Sequence, residues 1–242
     1  MSERRVTLVT GGARRVGAAI VRGCAARGDA VVLHHGSSPT EAEALAAELR
    51  DGGAQVHVVQ ADLADARSPD LLIEHALHAF GRLDVLVSSA SVMHRVAFGS
   101  VTAAQWDDTA AINLRAPFLL MQAAARVMSD NGVMIQLSDH LAFETGFSHL
   151  IPHQVTKAAL THLVETVAVA VAPRLRVNAV APGLVLAPRD MSPATRSAFL
   201  RDVPLDREGT PVDIVAAILY LIDAPYVTGV VLPVDGGRHL RR

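Results

Sequence analysis

Residues 6–17 read Val-Thr-Leu-Val-Thr-Gly-Gly-Ala-Arg-Arg-Val-Gly. This stretch is a short apolar run that ends in glycines and leads directly into a helical pattern. Glycines let a backbone turn sharply and approach a pyrophosphate, and the unpaired N–H groups of the next helix favour negative charge. The spacing differs from G-x-G-x-x-G, so a strand-to-helix turn without a ligand remains an alternative. The stretch predicts a strand, a phosphate loop and a helix start that bind a dinucleotide.

The rest of the chain alternates short apolar runs with helical patterns. We predict seven strands, the first starting at residue 6 and the others at residues 30–33, 56–59, 85–87, 133–137, 177–180 and 230–234. Predicted helices cover residues 16–27, 39–50, 69–80, 106–128, 155–171 and 210–222. Strands that alternate with helices pair in parallel through right-handed crossovers. The pattern predicts an α/β fold, a doubly wound parallel sheet with helices on both faces.

The chain of 242 residues shows no Pro- or Ser-rich linker that would mark a domain boundary. We therefore predict a single dinucleotide-binding domain over residues 1–242. Residues 184–207 contain Pro188, Pro193 and Pro204 around a short helical pattern. This segment is too long for a simple connector and is typical in length of a functional lid.

Composition limits the partners of the protein. Acidic residues number 24 and basic residues 22, so a formal charge of −2 argues against nucleic acid and anionic membranes. No apolar run approaches the ~20 residues of a membrane helix, and the first strand begins too early for a signal peptide. Cys24 is the single cysteine, which fits a reducing compartment. We expect a cytoplasmic protein that acts on a small molecule.

Several separated motifs follow one another in a fixed order. They are Thr10-Gly11-Gly12-Ala13-Arg14-Arg15-Val16-Gly17, Ala61-Asp62-Leu63, Asn113, Lys157, Asn178-Ala179-Val180-Ala181-Pro182-Gly183, Val227-Thr228-Gly229 and Asp235-Gly236-Gly237. In this order they resemble the short-chain dehydrogenase/reductase family over essentially the whole chain, which implies a Rossmann-like fold. Arg15 replaces the family's middle glycine. That replacement and the ending at residues 233–240 are similar to the pteridine and dihydromonapterin reductase branch.

The residues after the second strand indicate the cofactor. NAD enzymes usually place a carboxylate there to bind the ribose 2′-hydroxyl, and a carboxylate repels a 2′-phosphate. Residues 33–38 read Leu-His-His-Gly-Ser-Ser and offer no acid, while Arg14 or Arg15 can reach a phosphate. NADP(H) is therefore predicted. Taken singly, His34 and His35 also fit ordinary strand-end residues, and Arg14 fits a solvated surface charge.

The family resemblance implies a set of cofactor-binding positions. The phosphate loop and the segment after the second strand supply Gly11, Arg14, Arg15, Val16, Gly17, His35 and Ser37. Asp62 and Leu63 are expected to border the adenine, and Ser89 and Ala90 the adjoining ribose. The nicotinamide side is expected to hold Pro182, Gly183, Val185 and Lys157.

The catalytic segment departs from the family pattern Tyr-x-x-x-Lys. Here the segment is His153-Gln154-Val155-Thr156-Lys157, and neither Tyr220 nor Tyr226 has a lysine four residues later. His153 and Lys157, four apart at a predicted helix start, project on one face. The resemblance implies that Lys157 holds the nicotinamide ribose and that Asn113 holds a water in the proton relay. His153 is either the replacement proton donor or base, or a residue that fills the gap left by tyrosine.

The family's serine position falls on Ser138 or Asp139. The branch resemblance favours Asp139, and His140 competes because its distance from His153 in sequence is the usual one. A nearby lysine ammonium disfavours an imidazolium, which favours a base or a neutral donor role for His153. Asp139, His140, Glu144, His149 and His153 also suggest a metal site, but no ligand spacing is secured on a regular element. We predict no metal.

Two further departures concern the substrate. The family's Asn-Asn-Ala-Gly is Ser88-Ser89-Ala90-Ser91 here, which loses two amides near the cofactor. Met93 stands where the pteridine reductases carry an aromatic that stacks on a pterin, and a thioether is a poor stacking platform. Met93, Phe98, Met191 and Phe199 equally fit ordinary packing. These departures favour a small carbonyl or cyclic imine over a pterin.

The sequence thus predicts an NADP(H)-dependent oxidoreductase with an atypical His-x-x-x-Lys site. Two alternatives stay open, a non-redox lyase or isomerase that uses His153 as base, and a dinucleotide-binding protein without a redox step. The family commonly pairs through its long fourth and fifth helices and its last strand. Residues 110–128 carry a broad apolar face with few charges, so a homotetramer is expected, with a homodimer as the alternative.

Overall fold

The computed structural model describes residues 4–187 and 191–241. Within these ranges a single parallel sheet has the strand order β3-β2-β1-β4-β5-β6-β7. The strands are β1 Val6–Thr10, β2 Ala30–His35, β3 Val56–Gln60, β4 Val85–Ser88, β5 Gly132–Leu137, β6 Leu175–Pro182 and β7 Val231–Val234. The strand order reverses direction between β1 and β4, which confirms the predicted doubly wound sheet of seven strands.

Helices cover both faces of the sheet. The described residues form α1 Arg15–Ala26, α2 Pro39–Asp51, α3 Ser68–Phe80, α4 Ala103–Ala110, α5 Ala116–Val127, α6 Ile151–Val171, α7 Pro193–Arg201 and α8 Pro211–Asp223. One buried core joins the sheet to α3, α5 and α6, with Leu72, Leu120 and Val164 fully buried. The other joins it to α1, α2 and α8 through residues such as Ile20 and Ile218. None of these described helices is long and apolar enough to cross a membrane.

The predicted helix over residues 106–128 is interrupted. The chain forms α4, then one π-helical turn over Ala111–Arg115, and then α5. Asn113 lies inside this turn and is fully buried. A π turn inserts one residue into the helical repeat and often occurs at a functional site. Here it lets Asn113 point inward toward the end of β4, where its amide contacts Ser91 and Val92.

Two element boundaries also differ from the prediction, and both bear on the site. Strand β2 runs to residue 35, so His34 and His35 belong to the strand rather than to the loop after it. Helix α6 begins at Ile151 instead of residue 155. Pro152 suits its first turn, because the fixed φ of proline is helical and its missing N–H has no partner to lose there. His153 consequently lies in the first turn of α6.

The segment predicted as a lid, residues 184–207, leaves the sheet after β6. It contains α7, whose first residue follows Ser192, and the Ser192 hydroxyl accepts a hydrogen bond from the backbone N–H of Thr195. Pro188 lies outside the described residues. Val185, near the start of this segment, forms a β-bridge with Gly209, just after its end. The two ends of the segment therefore lie side by side.

Candidate active site

A cleft of about 730 Å³ opens at the carboxyl ends of the strands, beside the point where the strand order reverses. Ligands of open α/β sheets bind at such a point. Twelve of the positions predicted to bind a cofactor line this cleft, namely Gly11, Arg14, Arg15, Val16, Gly17, His35, Ser37, Asp62, Leu63, Ser89, Ala90 and Pro182.

The phosphate loop has no room for side chains at two of its glycines. Gly11 has a φ of +64°, and a Cβ there would lie 2.8 Å from the Cα of Ala90. A Cβ on Gly17 would lie 2.0 Å from the carbonyl oxygen of Gly11. Among the described residues, no side chain caps the start of α1, and its first turn holds no acid. The N–H groups of Gly11 and Gly12 bond to His34, and the loop with the uncapped start of α1 therefore forms a cradle in which the N–H groups of the first helical turn suit an anion.

Two arginines lie at the mouth of the cleft. The Arg14 side chain is exposed, and its Nη1 lies 3.7 Å from Oε1 of Glu41 at the start of α2. Arg15 has a φ of +53°, and its Nη2 donates to the carbonyl oxygen of Leu186. The left-handed conformation explains why the family uses glycine at this position. Arg15 thereby joins the phosphate loop to the start of the segment after β6.

His34 has a structural role that the sequence interpretation missed. Its ring is buried, its Nδ1 accepts a hydrogen bond from the backbone N–H of Gly11 at 3.2 Å, and its Nε2 donates to the carbonyl oxygen of Ala61 at 3.0 Å. Burial lowers the pKa of His34 to about 4, although the bond to Ala61 opposes this shift. The ring is thus neutral near pH 7 and fixes the phosphate loop to the end of β3.

His35, at the same end of the cleft, is also buried, but one of its ring nitrogens lacks a hydrogen-bond partner among the described residues. Its side chain is 4% exposed, and its Nδ1 has no hydrogen-bond partner within residues 4–187 and 191–241. A buried polar atom without a partner costs free energy, so such an atom beside a cleft points to a ligand. Ser37 lines the cleft nearby, and residues 36–38 include no acid.

Three predicted cofactor positions do not line the cleft. A Cβ on Gly183 would lie 2.7 Å from the Cα of Asp235, so this glycine serves close packing between the ends of β6 and β7. Val185 is buried and pairs with Gly209. Lys157 is buried behind Leu137, whose carbonyl oxygen accepts a hydrogen bond from its Nζ at 2.7 Å.

Three of the predicted catalytic side chains, Asn113, Asp139 and His153, form one connected group that contacts the cleft wall at the carbonyl oxygen of Val92, whereas Lys157 contacts the carbonyl oxygen of Leu137. His153 is 3% exposed, and its Nε2 lies 3.2 Å from Oδ2 of Asp139. Its Nδ1 lies 3.1 Å from the carbonyl oxygen of Val92 and 3.3 Å from Nδ2 of Asn113. Both ring nitrogens therefore have protein partners.

These contacts let the His153 ring hold either one proton or two. When Nδ1 is protonated it can donate to Val92, and when it is not it can accept from the Asn113 amide. In either state Nε2–H can donate to the Asp139 carboxylate. Nδ1 therefore has a protein partner whether or not it carries a proton, and Nε2 is the nitrogen that faces the Asp139 carboxylate.

Asp139 is the more accessible member of this pair. Its side chain is 20% exposed, and its Oδ1 accepts the backbone N–H of Leu141 at 2.9 Å. Burial by itself raises the pKa of Asp139, but the hydrogen bond from His153 and the neighbouring His140 outweigh it and hold the pKa below its ordinary value. Asp139, rather than Lys157, is the charged group that contacts His153.

The neighbours of Asp139 have other partners. The Ser138 hydroxyl donates to the carbonyl oxygen of Lys157 at 3.3 Å, and Nδ1 of His140 lies 2.6 Å from Oε1 of Glu144. Of the three residues considered for the family's serine position, Asp139 is the one that the structure brings to His153. Burial lowers the pKa of Lys157 to about 8, and the Asp139 charge opposes this shift.

The residues considered for substrate contact are dispersed. Met93 is 41% exposed and Phe98 is 74% exposed. Phe199 instead packs against Arg238, whose guanidinium carbon lies 3.9 Å from the ring centre. Among the described residues, no three His, Cys, Asp or Glu side chains are arranged to hold a metal ion.

A parallel doubly wound sheet with a glycine-lined cleft at its switch point defines a dinucleotide-binding α/β protein. The model of the family described as enoyl-(acyl carrier protein) reductase matches residues 11–239. An L-rhamnose 1-dehydrogenase (NAD(P)(+)) of Azotobacter vinelandii is 36% identical, covering 96% of each chain. The chain belongs to the short-chain dehydrogenase/reductase family of oxidoreductases.

Solved structures agree with this assignment. A blue fluorescent protein from a metagenomic library, in complex with NADPH, has a TM-score of 0.92 and 33% identity, covering 97% of both chains. FolM alternative dihydrofolate reductase 1 from Brucella canis, complexed with NADP, has a TM-score of 0.92 and 31% identity, covering 99% of this chain and 96% of that one.

Proposed function

We propose that this protein is an NADP(H)-dependent reductase of small carbonyl compounds or cyclic imines, and that His153 stands in the place of the family's tyrosine. The observation that carries the proposal is the Asp139–His153 pair, joined at 3.2 Å, whose imidazole also contacts Asn113 and the carbonyl oxygen of Val92 in the wall of the cofactor cleft. Two structural neighbours that are complexes with NADPH and NADP support the choice of cofactor.

The cleft residues divide the cofactor among them. The backbone around Gly11 and Gly17 would hold the pyrophosphate, and Arg14, His35 and Ser37 would hold the 2′-phosphate. The base and its ribose would lie along Asp62, Leu63, Ser89 and Ala90. The nicotinamide half would lie beside Pro182 in the cleft, with Gly183, Val185 and Lys157, which do not line it, as the further predicted positions. The buried, unpartnered Nδ1 of His35 and the glycine cradle are the features that fit such a ligand. When bound, the reduced nicotinamide supplies the hydride.

The proton comes from the chain's own residues. Asp139 is the more accessible member of the pair, and the Nε2 proton of His153 would pass to the substrate through the Asp139 carboxylate, which is ionised at rest. Asn113 fixes His153 and the backbone of Val92, because its Oδ1 accepts from Val92 N–H and its Nδ2 donates to Val92 C=O, both at 2.8 Å. Lys157, whose pKa is about 8, presents an ammonium near neutral pH that favours binding of ribose hydroxyls.

NADPH is expected to bind at least about tenfold more tightly than NADH, a difference of roughly 1.4 kcal/mol. The reason is the Arg14 guanidinium at the mouth of the cleft and the absence of a carboxylate from residues 33–38 at the end of the second strand. Fluorescence titration with NADPH and with NADH measures the ratio of the two dissociation constants. Arg14→Gln should reduce the ratio, whereas Arg22→Gln, on the exposed side of α1 and paired with Glu48, should leave it unchanged. Equal affinities for the two cofactors would contradict this assignment.

A substrate scan tests the reaction class. NADPH oxidation is followed with simple ketones and aldehydes, cyclic imines and pterins, and carbonyl or imine turnover is the expected result. Tight NADPH binding without turnover on any of them would instead support a dinucleotide-binding protein without a redox step. NADPH-independent conversion of a hydroxy compound would support a lyase or isomerase.

We expect residues 1–242 to act as one domain, with residues 184–207 as the substrate lid, and to assemble as a homotetramer. Exposed apolar side chains on α4 and α5 fit this assembly, since Trp106 and Phe118 are each 42% exposed and Val127 is 38% exposed. Buried interfaces of oligomers are enriched in such residues. Light scattering at micromolar concentration should give the molar mass of four chains. Phe118→Asp should lower this molar mass toward that of a dimer or monomer. A monomeric wild type would contradict the expected assembly.

A further inference from the structure

A second imidazole lies on the other side of Asp139. Nε2 of His140 is 3.6 Å from Oδ1 of Asp139, the oxygen that does not contact His153. This distance is too long for a hydrogen bond but is an ion-pair distance when the ring is protonated. Catalytic hydrogen bonds are often long without substrate and tighten in the complex. Asp139 is therefore flanked by two histidines, one on each carboxylate oxygen.

The His140 ring is held in one orientation from behind. Its Nδ1 lies 2.6 Å from Oε1 of Glu144, whose carboxylate also accepts Nε and Nη2 of Arg238 at 2.9 and 3.1 Å. The side chains of His140, Glu144 and Arg238 are between 8% and 11% exposed. Burial alone raises the pKa of Glu144, but the bonds from His140 and Arg238 outweigh it and lower the pKa. An ionised Glu144 keeps the proton on Nδ1 and turns Nε2 toward Asp139.

Arg238 ties this arrangement to the C-terminal end of the chain. Its Nη1 donates to the carbonyl oxygen of Phe199 at 3.1 Å, and Asp202 lies 3.6 Å from the same nitrogen. The Phe199 ring packs edge-on against His140, with ring centres 5.5 Å apart. The charged groups that face His140 are thus Asp139 and Glu144, with Arg238 and Asp202 beyond Glu144. A bidentate, nearly buried pair of this kind is costly to break, so it fixes Glu144 firmly.

We infer that His140 reloads the Asp139–His153 pair with a proton after each turnover, and that Glu144 and Arg238 are positioning residues for this step. The inference rests on the proposed reductase function. Each reduction takes one proton from the pair. His140 then transfers its Nε2 proton to Oδ1 of Asp139, becomes a neutral imidazole whose Nδ1–H still donates to Glu144, and regains a proton at Nε2 from buffer or water.

The test compares the rate of NADPH oxidation in the first turnover with kcat in the steady state. His140→Ala should lower kcat by about tenfold or more, while the first-turnover rate of NADPH oxidation stays near the wild-type value because the pair starts loaded. Imidazole buffer should restore kcat in proportion to its concentration. His140→Gln, which keeps a hydrogen bond to Glu144 but cannot titrate, should show the same loss. His162→Ala on the exposed side of α6 is the control and should match the wild type.

A readout that needs no turnover accompanies these rates. Nitrogen-15 NMR of the His140 ring should show Nδ1 protonated in the wild-type protein, and Glu144→Gln should lose that preference for Nδ1. A first turnover that falls as much as kcat, or a kcat that does not respond to imidazole, would overturn the relay and leave His140 a packing residue. A wild type that oxidises no NADPH with any substrate would overturn the proposed function and this inference together. An active wild type with a fully active His140→Gln variant would overturn the inference alone.

Discussion

His153→Phe is expected to lower kcat by about 10²–10⁴-fold, which corresponds to roughly 3–5 kcal/mol of activation free energy. Phenylalanine keeps a flat ring in the first turn of α6 but removes both nitrogens. The contacts to Asp139 at 3.2 Å and to the Val92 carbonyl at 3.1 Å are then lost. Steady-state NADPH oxidation with the best substrate of the scan measures the effect. KM for NADPH should change little, because the His153 ring does not line the cleft.

Matched variants separate chemistry from packing. His162 lies on the same helix with its side chain 83% exposed, so His162→Phe should keep full activity. Asp139→Asn retains the size of the side chain but cannot carry the proton, and it should reduce kcat to a similar degree. His153→Tyr restores the family motif and is expected to support ketone reduction. If His153→Phe retains wild-type kcat with an unchanged pH profile, the ring only fills space.

The fold was accessible from the sequence because its signals are local and repeated. Alternating apolar runs and helical patterns gave the number of strands, their parallel pairing and the doubly wound order. The glycine loop predicted the start of α1, and the structure places twelve predicted residues around one cleft. Element ends were less accessible, since the extension of β2 to His35 depends on its pairing with β3 and not on the composition of the strand itself.

The site was less accessible because it depends on contacts between distant segments. His34 looked like an ordinary strand-end residue, and its role emerges once the backbone N–H of Gly11 and the carbonyl of Ala61 are seen on either side of its ring. The π turn that turns Asn113 inward has no simple sequence signal. The charge neighbouring His153 was expected from Lys157, four residues away, but Asp139 contacts it from the loop after β5.

The departure at residues 88–91 has a structural answer. The family's amides at this point brace the chain beside the cofactor. Here the Thr10 hydroxyl accepts the backbone N–H groups of Ser89 and Ala90 at 3.1 and 3.3 Å, and the Ser91 hydroxyl donates to Asn113 at 3.1 Å. The hydroxyls of Thr10 and Ser91 thus hold the strand ends together without the amides.

Gly17→Ala is expected to weaken NADPH binding by at least about 100-fold, or roughly 2.7 kcal/mol. The added methyl would lie 2.0 Å from the carbonyl oxygen of Gly11 and 2.9 Å from its carbonyl carbon, so the backbone of the loop must move. Moving it also displaces the Gly11 N–H from His34 and opens the anion cradle. Overpacking of this kind costs about 1–3 kcal/mol of folding free energy, so Tm should fall by about 2–10 °C.

Gly99→Ala provides the matched control, because the same added methyl finds no atom within 4 Å there. It should leave both NADPH affinity and Tm near the wild-type values, as measured by fluorescence titration and thermal unfolding. The two readouts of Gly17→Ala distinguish a local from a global defect. A Tm decrease with unchanged NADPH affinity would mean that the loop relaxes elsewhere and that the pyrophosphate is held by other groups. Loss of affinity at a modestly lower Tm instead identifies the backbone between Gly11 and Gly17 as the anion-binding element, since neither glycine contributes a side chain to it.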